Sequence, residues 1–220
     1  MPLRGLMPPY IVLHDLFEER TVAHLLDHTV SHQDAFVPTT LGSRMRRRVD
    51  PSFRRSMKLH DVGNLRQVLE TKILGLVPTI VAALRVTPFE PSTLEIEMVA
   101  HGDGAFYKRH VDMAAQSDLG GVRVLTGVYY FHAEPKAFTG GLLRLHPFFE
   151  AGEASVVDIE PAHNSLVVFP SWAPHEVMPV HCPSQRFIDS RFAINCWVHL
   201  KKPDAAVHVS PERRDGNVPR

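Results

Sequence analysis

The spacing of hydrophobic residues changes near residue 90, and the first part of the chain has a helical pattern. Apolar residues recur every three or four positions over about 15–32 and about 61–84, which predicts two or three helices. Asp15, with Glu18 three residues later, is predicted to cap the first helix. Pro78 is predicted to kink or end the second helix. A short strand is predicted at residues 10–13, before both helices.

Beyond Pro88 and Pro91 the pattern is that of short strands separated by turns. Residues 93–99 alternate between apolar and polar side chains, and a Gly-Asp-Gly turn follows at 102–104. Further strands are predicted near residues 123–132, 141–146, 155–159, 165–169, 176–180 and 191–199. Many short strands with glycine and proline between them are typical of a β-sandwich or barrel.

The length of 220 residues is enough for one domain with a sizeable core. We expect a mainly β fold with flanking helices. In this single domain, residues 1–91 would provide a strand, helices and a basic flap that support a β-rich core at 92–200. Residues 201–220 are predicted to form a polar tail.

Composition narrows the partners and the compartment. The 24 basic and 24 acidic residues cancel, so the chain as a whole has no electrostatic preference for nucleic acid or an anionic membrane. Cys182 and Cys196 are too few for a disulfide framework, which fits a reducing cytosol. The start of the chain lacks an apolar signal region, and no run of about 18 apolar residues occurs. We therefore expect a cytoplasmic protein without a membrane span.

Two local clusters leave alternatives open. His24, His28 and His32 recur every four residues on the predicted first helix, where they form either a metal site or a solvated face. Residues 42–58 are either a basic flap that selects an anionic or polar substrate or a solvated loop. The cations of this segment are Arg44, Arg46, Arg47, Arg48, Arg54, Arg55 and Lys58.

A candidate metal site begins with His110 and Asp112, which are two residues apart. In an extended segment, side chains at positions i and i+2 leave the same face, so the imidazole and the carboxylate can converge. His175, on a later predicted strand, is the best candidate for a third ligand. Two histidines and one carboxylate with open positions are the ligand set typical of non-haem iron(II) oxygenases.

Arg191 and Tyr130 are candidates for binding a carboxylate next to that metal site. Arg191 opens the last predicted strand, sixteen residues after His175, and its planar guanidinium suits a bidentate grip on a carboxylate. Tyr130, on the strand near 123–132, would donate a second hydrogen bond. Taken alone, Arg191 could instead form a partly exposed salt bridge, and Tyr130 could be an aromatic residue of the core.

Together these segments resemble the iron(II)- and 2-oxoglutarate-dependent dioxygenases, specifically the prolyl 4-hydroxylase group with the oxygen-sensing prolyl hydroxylases and their bacterial relatives. The resemblance covers about residues 93–200. It is carried by six segments in order and by one further residue, at 107–112, 128–130, 140–145, 158–161, 174–177, 191–194 and Trp197.

The resemblance implies a double-stranded β-helix, a jelly-roll barrel supported by the N-terminal helices. It implies that His110, Asp112 and His175 bind Fe(II), and that Arg191 and Tyr130 hold the distal carboxylate of 2-oxoglutarate. The implied reaction consumes O2 and 2-oxoglutarate, releases succinate and CO2, and hydroxylates a C–H bond, with ascorbate as reductant. Related halogenases lack the carboxylate ligand, so Asp112 favours hydroxylation over halogenation.

Within this family the substrate and some residue roles stay open. A prolyl residue of a protein or peptide is the leading hypothesis, and a free amino acid, a natural-product intermediate or a non-catalytic sensor function are alternatives. Arg186 competes with Arg191 as the 2-oxoglutarate anchor. Ala100 stands where the oxygen-sensing enzymes have a pocket tyrosine, and Arg123 lies near a substrate-contacting arginine of those enzymes.

Overall fold

The computed structural model describes residues 7–42, 48–113, 121–148 and 156–200. Two α-helices lie before the main strands: α1 (Glu19–Ser31) and α2 (Leu65–Leu84). The strands before residue 111 are β1 (Ile11–Leu13), β2 (Val37–Pro38), β3 (Arg54–Arg55), β4 (Met57–Leu59), β5 (Pro91–His101) and β6 (Phe106–His110). The later strands are β7 (Val122–Phe131), β8 (Thr139–Gly140), β9 (Leu143–Leu145), β10 (Val157–Ile159), β11 (Ser165–Pro170), β12 (His175–Val177), β13 (Val180–His181) and β14 (Arg191–Leu200).

A seven-stranded antiparallel sheet with the order β1-β11-β7-β14-β5-β4-β2 forms the centre of the fold. Its strands alternate between two apolar faces, as successive residues of a strand must. Tyr129 and Ile194 point to the face that packs against the two helices. Tyr130 and Ala193 point to the opposite face. Both faces are buried, which explains why the central strands have long apolar runs.

A five-stranded sheet with the order β10-β9-β12-β6-β3 covers the second face. Leu143, Leu145 and Ile159 from this sheet share a buried cluster with Tyr130 and Phe169 of the larger sheet. The two sheets are therefore the two layers of a sandwich. In the described ranges, the strand ladders form open sheets and no closed barrel.

The mainly β class with two supporting helices is confirmed, and the predicted strands are present. The structure differs from two local predictions. Asp15 does not cap α1, which begins at Glu19; instead Asp15 adopts a left-handed conformation with φ 51°. The chain before α1 is held by Asn164, whose side-chain oxygen accepts a hydrogen bond from the backbone N–H of Phe17 at 3.0 Å.

Pro78 does not end the second helix either. α2 runs through Pro78 without interruption, because a row of buried apolar residues from Leu65 to Leu84 fixes the whole helix against the sheet. A proline inside a helix costs about 3 kcal/mol, and the burial of this face offsets that cost. By length and mean hydropathy of 1.5 alone, α2 could also cross a membrane, and core helices of soluble proteins meet the same criterion.

Candidate active site

His110 and His175 face each other on two neighbouring inner strands of the smaller sheet. His110 is the last residue of β6, His175 is the first residue of β12, and the two are register partners in the antiparallel ladder. Their ring centroids are 4.2 Å apart. Tyr107 stacks on the ring of His110 with centroids 3.5 Å apart, and Phe169 packs edge-on against His175. Aromatic neighbours thus restrict the orientation of both imidazoles.

Backbone carbonyls fix the same tautomer in both rings. Nδ1 of His110 donates to the carbonyl of Lys108 at 2.8 Å, and Nδ1 of His175 donates to the carbonyl of Ala173 at 2.9 Å. When neutral, both rings therefore have an unprotonated Nε2. A metal-binding histidine usually donates its other ring N–H in this way, to a carbonyl or a carboxylate.

Asp112 lies between the two Nε2 atoms. Its Oδ1 is 3.5 Å from Nε2 of His110, and its Oδ2 is 3.5 Å from Nε2 of His175. Burial alone would raise the pKa of Asp112, but the neighbouring His175 and His110 and a hydrogen bond from Trp197 hold it well below its usual range. Burial is the main cause that lowers the pKa of His175, to about 4. A carboxylate and neutral imidazoles are the protonation states that a metal needs.

Asp112 itself is past the end of β6, so the expected i, i+2 geometry of a continuous strand does not position it. Its backbone N–H donates to the carbonyl of Ser171 at 3.0 Å. Its Oδ2 accepts hydrogen bonds from the hydroxyl of Thr126 at 3.0 Å and the indole N–H of Trp197 at 2.8 Å. Residues of the larger sheet therefore orient a carboxylate that follows β6 of the smaller sheet.

The spacing of the three side chains suits one metal ion. One ligand atom from each of His110, Asp112 and His175 lies within 4.8 Å of the others. Nitrogen and oxygen ligands bind at about 2.0–2.2 Å, so neighbouring positions on one ion are about 3 Å apart. The observed 3.5 Å separations are close to that value.

Arg191 is buried deep in the cavity beside the three residues. The cavity has a volume of about 430 Å³ and is lined by His110, Asp112, His175 and Arg191, among others. Arg191 is 1% exposed, and its Nε and Nη2 have no hydrogen-bond partner. Burial lowers the pKa of Arg191. A buried guanidinium with free N–H groups indicates a missing anion.

Tyr130 and Gly141 surround that guanidinium. The Tyr130 ring lies 4.7 Å from Cζ of Arg191, and its buried hydroxyl is also without a partner. A Cβ atom at Gly141 would come within 2.7 Å of Cδ and 3.1 Å of Nε of Arg191. Arg191 therefore packs directly on the backbone of Gly141, and a side chain at this position would displace it. The free donors of Arg191 and Tyr130 fit the distal carboxylate of a small dicarboxylic acid.

Arg186, the alternative candidate for binding 2-oxoglutarate, does not line the cavity. Arg186 is exposed, and its Nε and Nη2 donate to both carboxylate oxygens of Asp189 at 2.8 and 3.0 Å. Its guanidinium is therefore already paired. Ala100 is buried, whereas the next residue, His101, lines the cavity. Ala100 belongs to the buried cluster on the helix-facing side of the larger sheet, so it does not face the cavity.

Ion pairs form the outer wall of the cavity. Arg123 binds Glu95 through Nε and Nη2 at 3.0 and 2.7 Å and lies 4.0 Å above the ring of Trp197. Glu97 accepts hydrogen bonds from Arg54 at 3.0 Å and Lys58 at 3.2 Å. These residues line the cavity, so its wall is strongly polar.

The basic segment is thus only partly a surface loop. Arg44, Arg46 and Arg47 lie outside the described residues. Arg55 is exposed, whereas Arg54 and Lys58 are buried against Glu97. The histidine row of α1 is not among the potential metal-binding groups found in the described ranges, and both His24 and His32 are exposed.

A second cluster of potential ligands consists of His132, Glu134 and His163. Nδ1 of both histidines faces Oε1 of Glu134, at 3.4 and 3.8 Å. Both nitrogens are engaged, however: Nδ1 of His132 donates to the carbonyl of Ala133, and Nδ1 of His163 accepts from the backbone N–H of His132. In the cluster of His110, Asp112 and His175, by contrast, the backbone carbonyls bind Nδ1 of each ring, and the Nε2 atoms that face Asp112 have no backbone partner. We therefore assign no metal to the second cluster.

The fold and the site define a class of protein: a double-stranded β-helix with a candidate metal site of two histidines and one carboxylate. A model of the 2OG-Fe(II) oxygenase superfamily matches residues 96–199, a range that includes all three metal-site residues and Arg191. This part of the chain is similar to the 2OG-Fe(II) oxygenase domain. The family resemblance expected from the sequence is confirmed.

Known relatives agree with this assignment. The chain is 38% identical over 149 residues to an uncharacterized PKHD-type hydroxylase of Synechocystis sp., a match that covers 62% of this chain and 46% of the relative. The chain therefore matches about half of that relative's length.

Solved structures share the fold. A prolyl-4-hydroxylase of Pseudomonas putida superposes with a TM-score of 0.64 at 21% identity, over 89% of this chain and 94% of that one. A prolyl hydroxylase of Trichoplax adhaerens, solved with a hypoxia inducible factor peptide fragment, gives 0.62 at 20% identity, over 86% and 83% of the two chains. The double-stranded β-helix is thereby confirmed.

Proposed function

We propose that this protein is an Fe(II)- and 2-oxoglutarate-dependent dioxygenase that hydroxylates a prolyl residue of a protein or peptide and releases succinate and CO2. The observation that carries the proposal is the buried, unpaired edge of Arg191 in the same cavity as His110, Asp112 and His175. A metal site alone would suit many proteins. A metal site with a free cation beside it suits a 2-oxo acid that has a second carboxylate.

The three metal-site residues would hold Fe(II) in this role. His110 and His175 would contribute Nε2, and Asp112 would contribute a carboxylate oxygen. Bound iron with 2-oxoglutarate and O2 supplies the oxidising power for C–H hydroxylation. The chain contributes orientation: carbonyls set the imidazole tautomers, while Thr126 and Trp197 hold the carboxylate.

Arg191 and Tyr130 would bind the distal carboxylate of 2-oxoglutarate. Arg191 offers two free N–H groups, and Tyr130 offers a free hydroxyl. The site excludes water because both residues are about 1% exposed. In such surroundings a charge-assisted hydrogen bond is stronger than in water, so the pocket would hold the acid in one orientation.

A peptide substrate is supported by the rim of the cavity. Val111 and Met113 flank Asp112, and each is 50% exposed. Exposed apolar side chains beside a catalytic cavity favour contact with a partner chain. The structural relatives that are prolyl hydroxylases, one of them with a bound peptide fragment, give the prolyl residue as the first candidate.

A free amino acid or another polar small molecule is a second candidate. The wall of the cavity carries the paired charges of Arg54, Lys58 and Glu97 and of Arg123 and Glu95. Such a wall favours a substrate with its own charged groups over a neutral, apolar one.

One experiment separates these candidates. Purified protein with iron(II), 2-oxoglutarate and ascorbate is incubated with a proline-containing peptide library, and in parallel with free amino acids. Mass spectrometry then searches for products heavier by one oxygen, about 16 daltons, and succinate is measured in the same samples. Hydroxylated peptide supports the prolyl proposal, and a hydroxylated amino acid replaces it with the second candidate. Omitting ascorbate tests whether a reductant is needed. Absence of succinate above a metal-free control in all samples would favour a non-catalytic binding module.

A further inference from the structure

Four buried side-chain nitrogen or oxygen atoms lack a hydrogen-bond partner in the part of the chain that the structure describes, and they belong to three residues. The atoms are Nε2 of His101, the hydroxyl of Tyr130, and Nε and Nη2 of Arg191. His101 and Arg191 are register partners on β5 and β14, and Tyr130 is on the other neighbour of β14, β7. Unpaired buried polar groups are costly, so their concentration on three adjacent strands indicates one common ligand.

Arg191 presents a particular edge to that ligand. Its Nη1 lies 3.3 Å from Nδ1 of His101, while Nε and Nη2 are free. Nε and Nη2 point to the same side of the planar guanidinium. Arg123 and Arg144 use this same edge to bind Glu95 and Asp158, with distances between 2.7 and 3.0 Å. Arg191 presents the same edge, but none of the described residues provides a carboxylate to it.

The contact with Arg191 determines the tautomer of His101. A guanidinium only donates hydrogen bonds, so Nδ1 of His101 is the acceptor. Burial, together with the charges of Arg191 and Arg54, holds the pKa of His101 well below its usual range, so the ring is neutral. Its one proton therefore lies on Nε2. The resulting N–H is a buried donor on the cavity wall without an acceptor.

We infer that His101 is a positioning residue that selects dicarboxylic over monocarboxylic 2-oxo acids. By accepting from Nη1, it holds Arg191 so that the free edge faces the cavity. Its own Nε2–H adds to the donors that remain unpaired when no distal carboxylate is present. A site built from buried donors rejects an analogue that lacks the matching group, because the donors then stay unsatisfied. This inference rests on the proposed function.

The test compares two acids of the same chain length, 2-oxoglutarate and 2-oxovalerate, which has a methyl group in place of the distal carboxylate. Calorimetric titration of the manganese(II)-loaded protein gives both dissociation constants without turnover. We expect His101→Leu to weaken 2-oxoglutarate about tenfold or more and to leave 2-oxovalerate nearly unchanged. His101→Asn, which keeps an oxygen at the δ position for Nη1, should restore much of the preference.

A measurement on the wild type covers the case in which His101→Leu does not fold. Nitrogen-15 NMR of histidine-labelled protein should show a neutral His101 with the proton on Nε2, and its signals should shift with 2-oxoglutarate but not with 2-oxovalerate. A proton on Nδ1 would overturn the inference, and so would an unchanged ratio of the two affinities in His101→Leu. A wild type without any preference for 2-oxoglutarate would instead overturn the proposed function.

Discussion

The indole N–H of Trp197 donates to Oδ2 of Asp112 at 2.8 Å, although the two residues are 85 positions apart. The hydroxyl of Thr126 donates to the same oxygen at 3.0 Å. These bonds join the last strand of the larger sheet to the carboxylate of the proposed metal site. They stabilise the charged form of Asp112 and fix its direction towards the two histidines.

Replacing Trp197 with phenylalanine should therefore weaken metal binding. The variant keeps an aromatic ring below Arg123 but removes the donor to Asp112. Loss of such a supporting hydrogen bond typically costs about 10- to 100-fold in metal affinity. Trp172→Phe is the matched control, because Trp172 packs on Phe148. Equal iron or manganese affinities in the two variants, measured by equilibrium titration, would show that Trp197 does not support the site.

Substitution of Arg191 should affect 2-oxoglutarate far more than substitution of Arg186. Arg191→Met removes the two free N–H groups in the cavity, whereas Arg186→Met removes a surface pair with Asp189. We expect the affinity for 2-oxoglutarate to fall on the order of 100-fold in Arg191→Met and to stay within about twofold in Arg186→Met. Direct binding titrations with the metal-loaded proteins measure this. The opposite ranking would transfer the role to Arg186.

Gly141→Ala should disturb the same pocket without removing a charge. The new Cβ would lie 2.7 Å from Cδ of Arg191, and Gly141 has a φ of +67° that alanine adopts only with strain. We expect a loss of about 1–2 kcal/mol in the free energy of unfolding and a weaker affinity for 2-oxoglutarate. Gly75→Ala, on an open face of α2, is the control and should stabilise the protein by about 0.5–1 kcal/mol. Unchanged 2-oxoglutarate affinity in Gly141→Ala would contradict the proposed packing.

The stability of the protein should depend on the ionisation of Glu97. Burial alone would raise the pKa of Glu97, but the charges of Arg54 and Lys58 bring it below its usual value. The carboxylate therefore contributes stability above the pKa of the unfolded chain, about 4.3, and this contribution is lost as the pH falls through the lower folded-state pKa.

Glu97→Gln tests this contribution by urea unfolding at several pH values. At neutral pH the variant should lose about 3 kcal/mol, because two buried cations lose their partner. The difference from the wild type should narrow in acid. Glu70→Gln, which breaks an exposed pair with Arg66, should change stability by less than about 0.5 kcal/mol. A difference that does not vary with pH would rule out Glu97 ionisation as its source.

The sequence was sufficient to select the residues that converge. The His-x-Asp pair with a distant histidine identified His110, Asp112 and His175, and the structure brings all three together. The sequence also placed Arg191 at the start of the last strand and singled out Trp197 further along it, and both line the cavity. Local spacing and strand periodicity carry this information because strand side chains alternate strictly.

The residues that support the site were less accessible from sequence. Thr126 and Ser171 contact Asp112 from strands and loops far along the chain, and neither belongs to a motif with it. His101 was missed because its role depends on cross-strand pairing with Arg191. The predicted helix cap at Asp15 was wrong for the same reason, because the long-range contact from Asn164 outweighs a local pattern.

Cytoplasmic location and the function of residues 44–47 stay predictions.

The central claim is that His110, Asp112 and His175 form a catalytic metal site that acts on 2-oxoglutarate. Succinate formation from 2-oxoglutarate, with iron(II) and O2, tests it most directly. The wild type should produce succinate, Asp112→Ala should produce none, and Glu134→Ala, in the second cluster, should retain the wild-type rate. Succinate formation that survives in Asp112→Ala, or is lost in Glu134→Ala alone, would contradict the assignment.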